Sequence, residues 1–128
     1  MNPTRHALVV DDNHLNSRLA KTFLQRIGWT ARTVDGGQQA LEALRQDRFD
    51  LVLLDLRMPN MSGEEVCHAI RDEIGLSDLP VVAYTAHSMP EERSRIMARG
   101  FDGLLIKPIS FADVREVCEE LADGRRPA

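Results

Sequence analysis

The sequence contains few of the features that mark secreted, disulfide-bonded or membrane-spanning proteins. It has two cysteines, Cys67 and Cys118, which lie far apart and have no companion residue at the spacing of a metal or redox motif. Residues 1–6 are polar, and no apolar run approaches the roughly 18 residues of a membrane span. These absences predict reduced thiols, a cytoplasmic location and no membrane contact.

Neither sign of charge is concentrated in one segment of the chain. The 16 Lys and Arg residues oppose 20 Asp and Glu residues, which gives a formal net charge of -4. Without a basic stripe, direct binding of nucleic acid is not expected. Apolar residues make up 43% of the 128 residues, enough for a buried core. We expect one domain over residues 1–128, with a core from about 5 to 121 and a frayed tail at 122–128.

Short apolar segments alternate five times with segments of helical periodicity. Strands are predicted near residues 7–10, 29–34, 50–54, 80–84 and 104–106. The second segment is the most polar and suits a sheet edge, whereas the third is continuously apolar and suits the centre. The alternation predicts an α/β fold, a doubly wound parallel sheet of five strands with five helices.

Pairs of polar residues three positions apart predict N-terminal caps of helices. The pairs are Asp35 with Gln38, Ser62 with Glu65, and Ser110 with Asp113. The first helix is expected over residues 13–28, where Gly28 suits a stop. The fourth, over residues 90–99, has a thin apolar face of Ile96 and Met97. A weakly anchored helix is a candidate for movement.

Five polar residues follow the predicted strands directly: Asp11 and Asp12, Asp55, Thr85 and Lys107. Each of them alone is more simply a turn or cap residue. In an open parallel sheet, however, all strands end along one edge, where ligands bind. Carboxylates packed together repel one another unless a cation lies among them, and oxygen ligands favour Mg²⁺. The pattern therefore predicts a divalent metal at a phosphoryl-transfer site.

These residues lie in a set of short motifs: Val10-Asp11-Asp12-Asn13, Leu54-Asp55-Leu56-Arg57-Met58-Pro59, Ser62-Gly63, Thr85-Ala86, Gly100-Phe101-Asp102-Gly103 and Lys107-Pro108. Together the motifs resemble the receiver domain of a two-component response regulator, over residues of about 5–121. The opening at residues 11–16 and the Thr85-Ala86-His87 segment are also similar to receivers of hybrid histidine kinases or phosphorelays.

The resemblance implies a flavodoxin-like strand order of 2-1-3-4-5 and a role for each site residue. Asp55 would accept a phosphoryl group from a phosphohistidine on a histidine kinase or phosphotransfer protein. Lys107 and Thr85 would contact the phosphoryl oxygens. Mg²⁺, or Mn²⁺ in its place, would be bound by Asp11, Asp12, Asp55 and the backbone carbonyl of Arg57.

Further implied features concern the loops and the output. Pro59, Gly63, Ala86 and Pro108 would shape the loops around the site, with a cis peptide at Lys107-Pro108. His87 and Arg57 would flank the phosphate entrance. Trp29 and Tyr84 are interpreted as packing residues.

The resemblance implies that the protein signals through contacts with an unknown downstream protein. Those contacts would be made by the face formed by helix 4, strand 5 and helix 5. Leu104 departs from the family, which usually has Tyr or Phe three residues before the lysine. We expect a signalling switch that catalyses only its own phosphorylation and dephosphorylation, as a monomer or weak homodimer.

Three alternatives stay open from the residues. An aspartyl-phosphate phosphatase would need a second Asp two residues after Asp55, where the chain has Arg57. A nucleotide-binding flavodoxin-like module would need a glycine- or hydroxyl-rich loop after strand 1, where the chain has acidic residues. A pseudo-receiver would only bind partners.

Overall fold

The computed structural model describes residues 4–86 and 89–121 and contains a five-stranded parallel sheet in the order β2-β1-β3-β4-β5. The strands are β1 (His6–Val10), β2 (Thr30–Val34), β3 (Leu51–Asp55), β4 (Val81–Thr85) and β5 (Gly103–Ile106). The helices are α1 (His14–Arg26), α2 (Gly37–Gln46), α3 (Gly63–His68), α4 (Pro90–Ala98) and α5 (Phe111–Leu121), and a π-helical segment, Ala69–Ile74, follows α3. The predicted fold class, strand order and five helices are confirmed.

The sheet is covered on both faces, which explains the apolar sequences of its central strands. Leu8, Val52 and Ala83 lie in the layer that contains α2 and α3. Val9 and Leu53 point to the opposite layer, which contains α1 and α5. Strands buried on both faces are apolar throughout, whereas β2 lies at an edge and is largely exposed, as predicted.

Helix starts follow the sequence with one exception. The capping box of Ser62 and Glu65 is present, and the Ser110 hydroxyl accepts a hydrogen bond from the backbone of Asp113. The prediction that Asp35 caps α2 is wrong, because Gly36 occupies the cap position in an extended conformation and no side chain caps the helix. Asp35 therefore lies outside the first turn, where its carboxylate contacts His14 Nε2 at 3.0 Å.

The fourth helix is thinly anchored, as its sequence predicts. Ile96 is its one buried residue, and Met97 is 42% exposed. His87 lies just before this helix and outside the described residues, as does the tail at 122–128. Both cysteines are buried, and neither takes part in a disulfide. Among the residues that the structure describes, no helix is both long and apolar enough to cross a membrane.

A partly buried arginine, Arg71, connects the segment before β4 to the loop before β5. The Arg71 guanidinium donates to the backbone carbonyls of Leu79 and Gly100 and lies 2.8 Å from Asp102 Oδ2. The same carboxylate oxygen accepts a hydrogen bond from the backbone of Val81. Because the Asp102 side chain is 3% exposed, its charge depends on these protein donors.

We expect Arg71→Ala to lower the free energy of unfolding by about 3–5 kcal/mol, because it removes the cation from a buried carboxylate. Arg32→Ala is the matched control, since Arg32 forms an exposed pair with Asp47 that contributes about 0–1 kcal/mol. Urea unfolding of both variants measures the difference. Equal losses in the two variants would contradict the structural role of Arg71.

Candidate phosphoryl-transfer site

The residues predicted to share one site do converge at the carboxyl edge of the sheet. They line a cavity of about 240 Å³ that opens above the ends of β1, β3 and β4. Its lining consists of Asp11, Asp12, Asn13, Asn16, Asp55, Arg57, Thr85, Ala86 and Lys107. The strand order places these segments side by side, because β1 and β4 both pair with β3.

Three carboxylates form the centre of this cavity. One oxygen from each of Asp11, Asp12 and Asp55 lies within 4.8 Å of the others. Asp11 is fully buried and Asp55 is 4% exposed, whereas Asp12 faces solvent. The backbone N–H of Asn13 donates to Asp11 Oδ1 at 2.9 Å, and that of Arg57 donates to Asp55 Oδ1 at 3.1 Å. These hydrogen bonds fix the orientation of the two buried carboxylates.

Lys107 brings a single ammonium to this group. Its Nζ lies 3.4 Å from Asp11 Oδ2 and 3.3 Å from Asp55 Oδ1, so it contacts the two buried carboxylates about equally. The Lys107 backbone N–H donates to the Thr85 carbonyl at 2.8 Å, and the Lys107-Pro108 peptide is cis, as predicted. The lysine and the buried Thr85 are therefore joined through the main chain.

The charges in the cavity are not balanced. Burial, followed by the neighbouring Asp11, raises the pKa of Asp55 to about 6. Burial also acts to raise the pKa of Asp11, but hydrogen bonds from Tyr84 and Asn13 and the charge of Lys107 hold that pKa below its ordinary value. One ammonium thus faces three acidic groups whose oxygens suit a hard cation. The donor set fits Mg²⁺.

Tyr84 belongs to this site, although its sequence context indicates only packing. Its hydroxyl donates to Asp11 Oδ2 at 2.6 Å, and its ring lies fully buried beneath Lys107. Burial and the Asp11 carboxylate raise the pKa of Tyr84, so the hydroxyl stays protonated and can donate. In the sequence, the one sign of this role is a tyrosine in an otherwise aliphatic strand, because a buried tyrosine hydroxyl usually has a hydrogen-bond partner.

The loop after β3 approaches the start of α3 closely. The Gly63 backbone N–H donates to the Leu56 carbonyl at 3.1 Å. A Cβ atom at Gly63 would lie 2.6 Å from the Asp55 carbonyl oxygen and 2.8 Å from Leu56 Cα. Both neighbours are backbone atoms, so only glycine allows this approach. Pro59, Ala86 and Pro108 are exposed around the same edge.

We expect Gly63→Ala to lower the free energy of unfolding by about 1–3 kcal/mol and to weaken Mg²⁺ binding, because the Asp55 backbone must move away. Gly103→Ala is the control, since its Cβ would find ordinary contacts at 3.5 Å or more. Urea unfolding and calorimetric Mg²⁺ titration measure the two effects. If Gly63→Ala matched the control in both, the close approach would have no consequence.

Known proteins share both the sequence pattern and the fold. Residues 7–119 match the response regulator receiver domain. The chain is 42% identical to the sensor protein GacS of Pseudomonas syringae pv. syringae over 113 residues, which cover 86% of this chain and 12% of GacS. It is 34% identical to the polar-differentiation response regulator DivK of Brucella ovis over 107 residues, which cover 84% of this chain and 87% of DivK.

A solved structure extends the comparison to the fold. The receiver domain of a sensor histidine kinase from Pseudomonas aeruginosa PAO1, with a magnesium ion coordinated in its active-site cleft, is 25% identical to this chain. The two superimpose with a TM-score of 0.85 over 94% of this chain and 99% of that domain. The chain thus spans about an eighth of the sensor protein GacS but most of DivK. By sequence and by fold, it belongs to the response regulator receiver domains of two-component signalling.

Proposed function

We propose that this receiver accepts a phosphoryl group on Asp55 from a phosphohistidine of a histidine kinase or a phosphotransfer protein. An Asp55 carboxylate oxygen forms a bond to phosphorus while the bond from phosphorus to the imidazole nitrogen breaks. The leaving nitrogen takes a proton from solvent. The observation that carries the proposal is the grouping of three carboxylates and the Lys107 ammonium at one end of the sheet.

The other site residues take complementary roles in this reaction. The Lys107 ammonium, which lies between Asp11 and Asp55, is within reach of a phosphoryl oxygen on Asp55. Thr85 offers its hydroxyl to a second oxygen, and the small side chain of Ala86 at the cavity edge leaves room for the group to enter. Pro59, Gly63 and Pro108 hold the surrounding loops.

The acidic cluster is proposed as a Mg²⁺ site formed by Asp11, Asp12, Asp55 and the backbone carbonyl of Arg57. Bound there, the cation would offset charge on the attacking and transferred oxygens. The imbalance between three carboxylates and one ammonium supports this proposal, as does the magnesium ion in the related Pseudomonas aeruginosa domain. Substitution of Mn²⁺ for Mg²⁺ stays a prediction.

The similarity to GacS supports a place in a phosphorelay with a kinase or phosphotransfer donor.

We propose that the protein signals through the face of α4, β5 and α5, because α4 has a single buried residue and can shift at low cost. Leu104, half-buried in β5, replaces the usual aromatic ring, so we expect the change to centre on Thr85 and the start of α4. The downstream protein, the cytoplasmic location and a monomeric or weakly dimeric state stay predictions.

Membership in the receiver family favours this function over the phosphatase and nucleotide-binding alternatives. The convergence of all five site residues argues against a pseudo-receiver that only binds partners.

With Mg²⁺ and a small acyl-phosphate donor, the protein should gain one phosphoryl group that hydroxylamine removes, because the proposed product is an acyl phosphate. Intact-mass spectrometry measures the gain. Asp55→Asn should stay unlabelled, and Asp78→Asn, which changes an exposed aspartate away from the cavity, should label normally. Undiminished labelling of Asp55→Asn would refute the assignment.

Asp12→Ala should weaken Mg²⁺ binding about tenfold or more, because it removes the exposed carboxylate of the cluster. The fold should persist, and relief of carboxylate repulsion should leave the apoprotein at least as stable as the wild type. Calorimetric titration and thermal melts test both statements, with Asp78→Ala as the control. Unchanged Mg²⁺ affinity would contradict the proposed ligand set.

A further inference from the structure

Tyr84 contacts both of the opposite charges in the buried half of the site. Its hydroxyl donates to Asp11 Oδ2 at 2.6 Å, and the Lys107 Nζ lies 4.7 Å from the centre of its ring. Tyr84 lies on β4 and Asp11 directly follows β1, 73 positions away in sequence, so their hydrogen bond depends on the sheet order. The ring itself is fully buried in the layer that contains α1 and α5.

A buried tyrosine needs a hydrogen-bond acceptor, and any backbone carbonyl would satisfy it. Here the acceptor is instead an acidic side chain of the proposed metal site. Asp11 Oδ1 accepts from the Asn13 backbone, and Asp11 Oδ2 accepts from Tyr84 and faces Lys107. Both oxygens of this fully buried carboxylate therefore have protein donors before any cation is present.

The donor on Asp11 Oδ2 changes how strongly the site attracts a cation. A hydroxyl directs the positive end of its dipole at the carboxylate and so offsets part of the negative potential in the cavity. Lys107 is shared with Asp55 at nearly the same distance and cannot offset Asp11 alone. Without the hydroxyl, the excess negative charge on Asp11 would have to be offset by a cation.

We propose that Tyr84 is a positioning residue that holds Asp11 through its hydroxyl and lowers the affinity of the site for Mg²⁺. This inference rests on the proposed function, because it assigns a regulator to the same metal site. The hydroxyl keeps the empty cluster stable and its orientation fixed, so that Mg²⁺ binds reversibly instead of being needed to hold the acidic groups together.

Tyr84→Phe is the direct test, because it removes the hydroxyl and keeps the ring. We expect the apoprotein to melt at a lower temperature, while Mg²⁺ binds about threefold to tenfold more tightly by calorimetric titration. A role in packing alone would not strengthen Mg²⁺ binding. Unchanged or weaker Mg²⁺ binding in Tyr84→Phe would overturn the proposal.

A double-mutant cycle tests whether Tyr84 acts through Asp11. Asp11→Ala itself should weaken Mg²⁺ binding, because Asp11 belongs to the proposed ligand set. In that background the hydroxyl has lost its acceptor, so adding Tyr84→Phe should leave the weakened affinity nearly unchanged. An equally large tightening in that background would show that Tyr84 acts by another route and would refute the inference.

A spectroscopic measurement tests the contact without altering Tyr84. The chain has one tyrosine, so a carbon-13 label at the ring carbon that bears the hydroxyl gives a single resonance. We expect that resonance to move on Mg²⁺ titration in the wild type and to differ in position in Asp11→Ala. Identical resonances in the two proteins would refute the contact.

Failure of this inference is distinguishable from failure of the proposed function. If the wild type binds Mg²⁺ and is phosphorylated at Asp55, but Tyr84→Phe binds Mg²⁺ with wild-type affinity, only the role of Tyr84 is refuted. If the wild type neither binds Mg²⁺ nor accepts a phosphoryl group, the proposed function itself is wrong.

Discussion

The repulsion among three carboxylates at the end of the sheet is the constraint on which the rest of the structure depends. Asp11 and Asp55 are buried side by side, and Lys107 is the one cation within hydrogen-bonding range of both in the described structure. Like charges at such distances are unfavourable unless donors or cations compensate them. The packing of the central strands keeps the carboxylates together despite this cost, since β1 and β3 are buried on both faces.

Each of the two layers that cover the sheet helps to hold one of the buried carboxylates. On one side, α1 and α5 cover the Tyr84 ring, whose hydroxyl supports Asp11. On the other side, Gly63 lets the start of α3 contact the backbone of Asp55. Asp11 and Asp55 are thus held from different layers. The cluster lowers local stability but forms a site that can bind a cation, and such local destabilisation is common at functional sites.

Features of the structure that depend on interactions between residues close in sequence could be predicted from the sequence. Apolar runs and caps such as Ser62 with Glu65 predicted the elements, and strand ends predicted the convergence at Asp55. The Asp35 cap failed because Gly36 competed for the same position. Contacts between residues distant in sequence could not be predicted, since the Tyr84 hydroxyl reaches Asp11 over 73 positions and Arg71 reaches Asp102 over 31. Only the folded strand order brings those partners together.

The exposed character of β2 has a consequence for how this domain behaves at high concentration. An edge strand presents unpaired backbone groups that can recruit a strand from another molecule. In β2 the exposed residues are Thr30, Arg32 and Thr33, and the Arg32 guanidinium is paired with Asp47 on the neighbouring loop. A charged side chain at this edge disfavours strand addition, and the opposite edge, β5, is only four residues long. Both margins of the sheet thereby resist edge-to-edge aggregation.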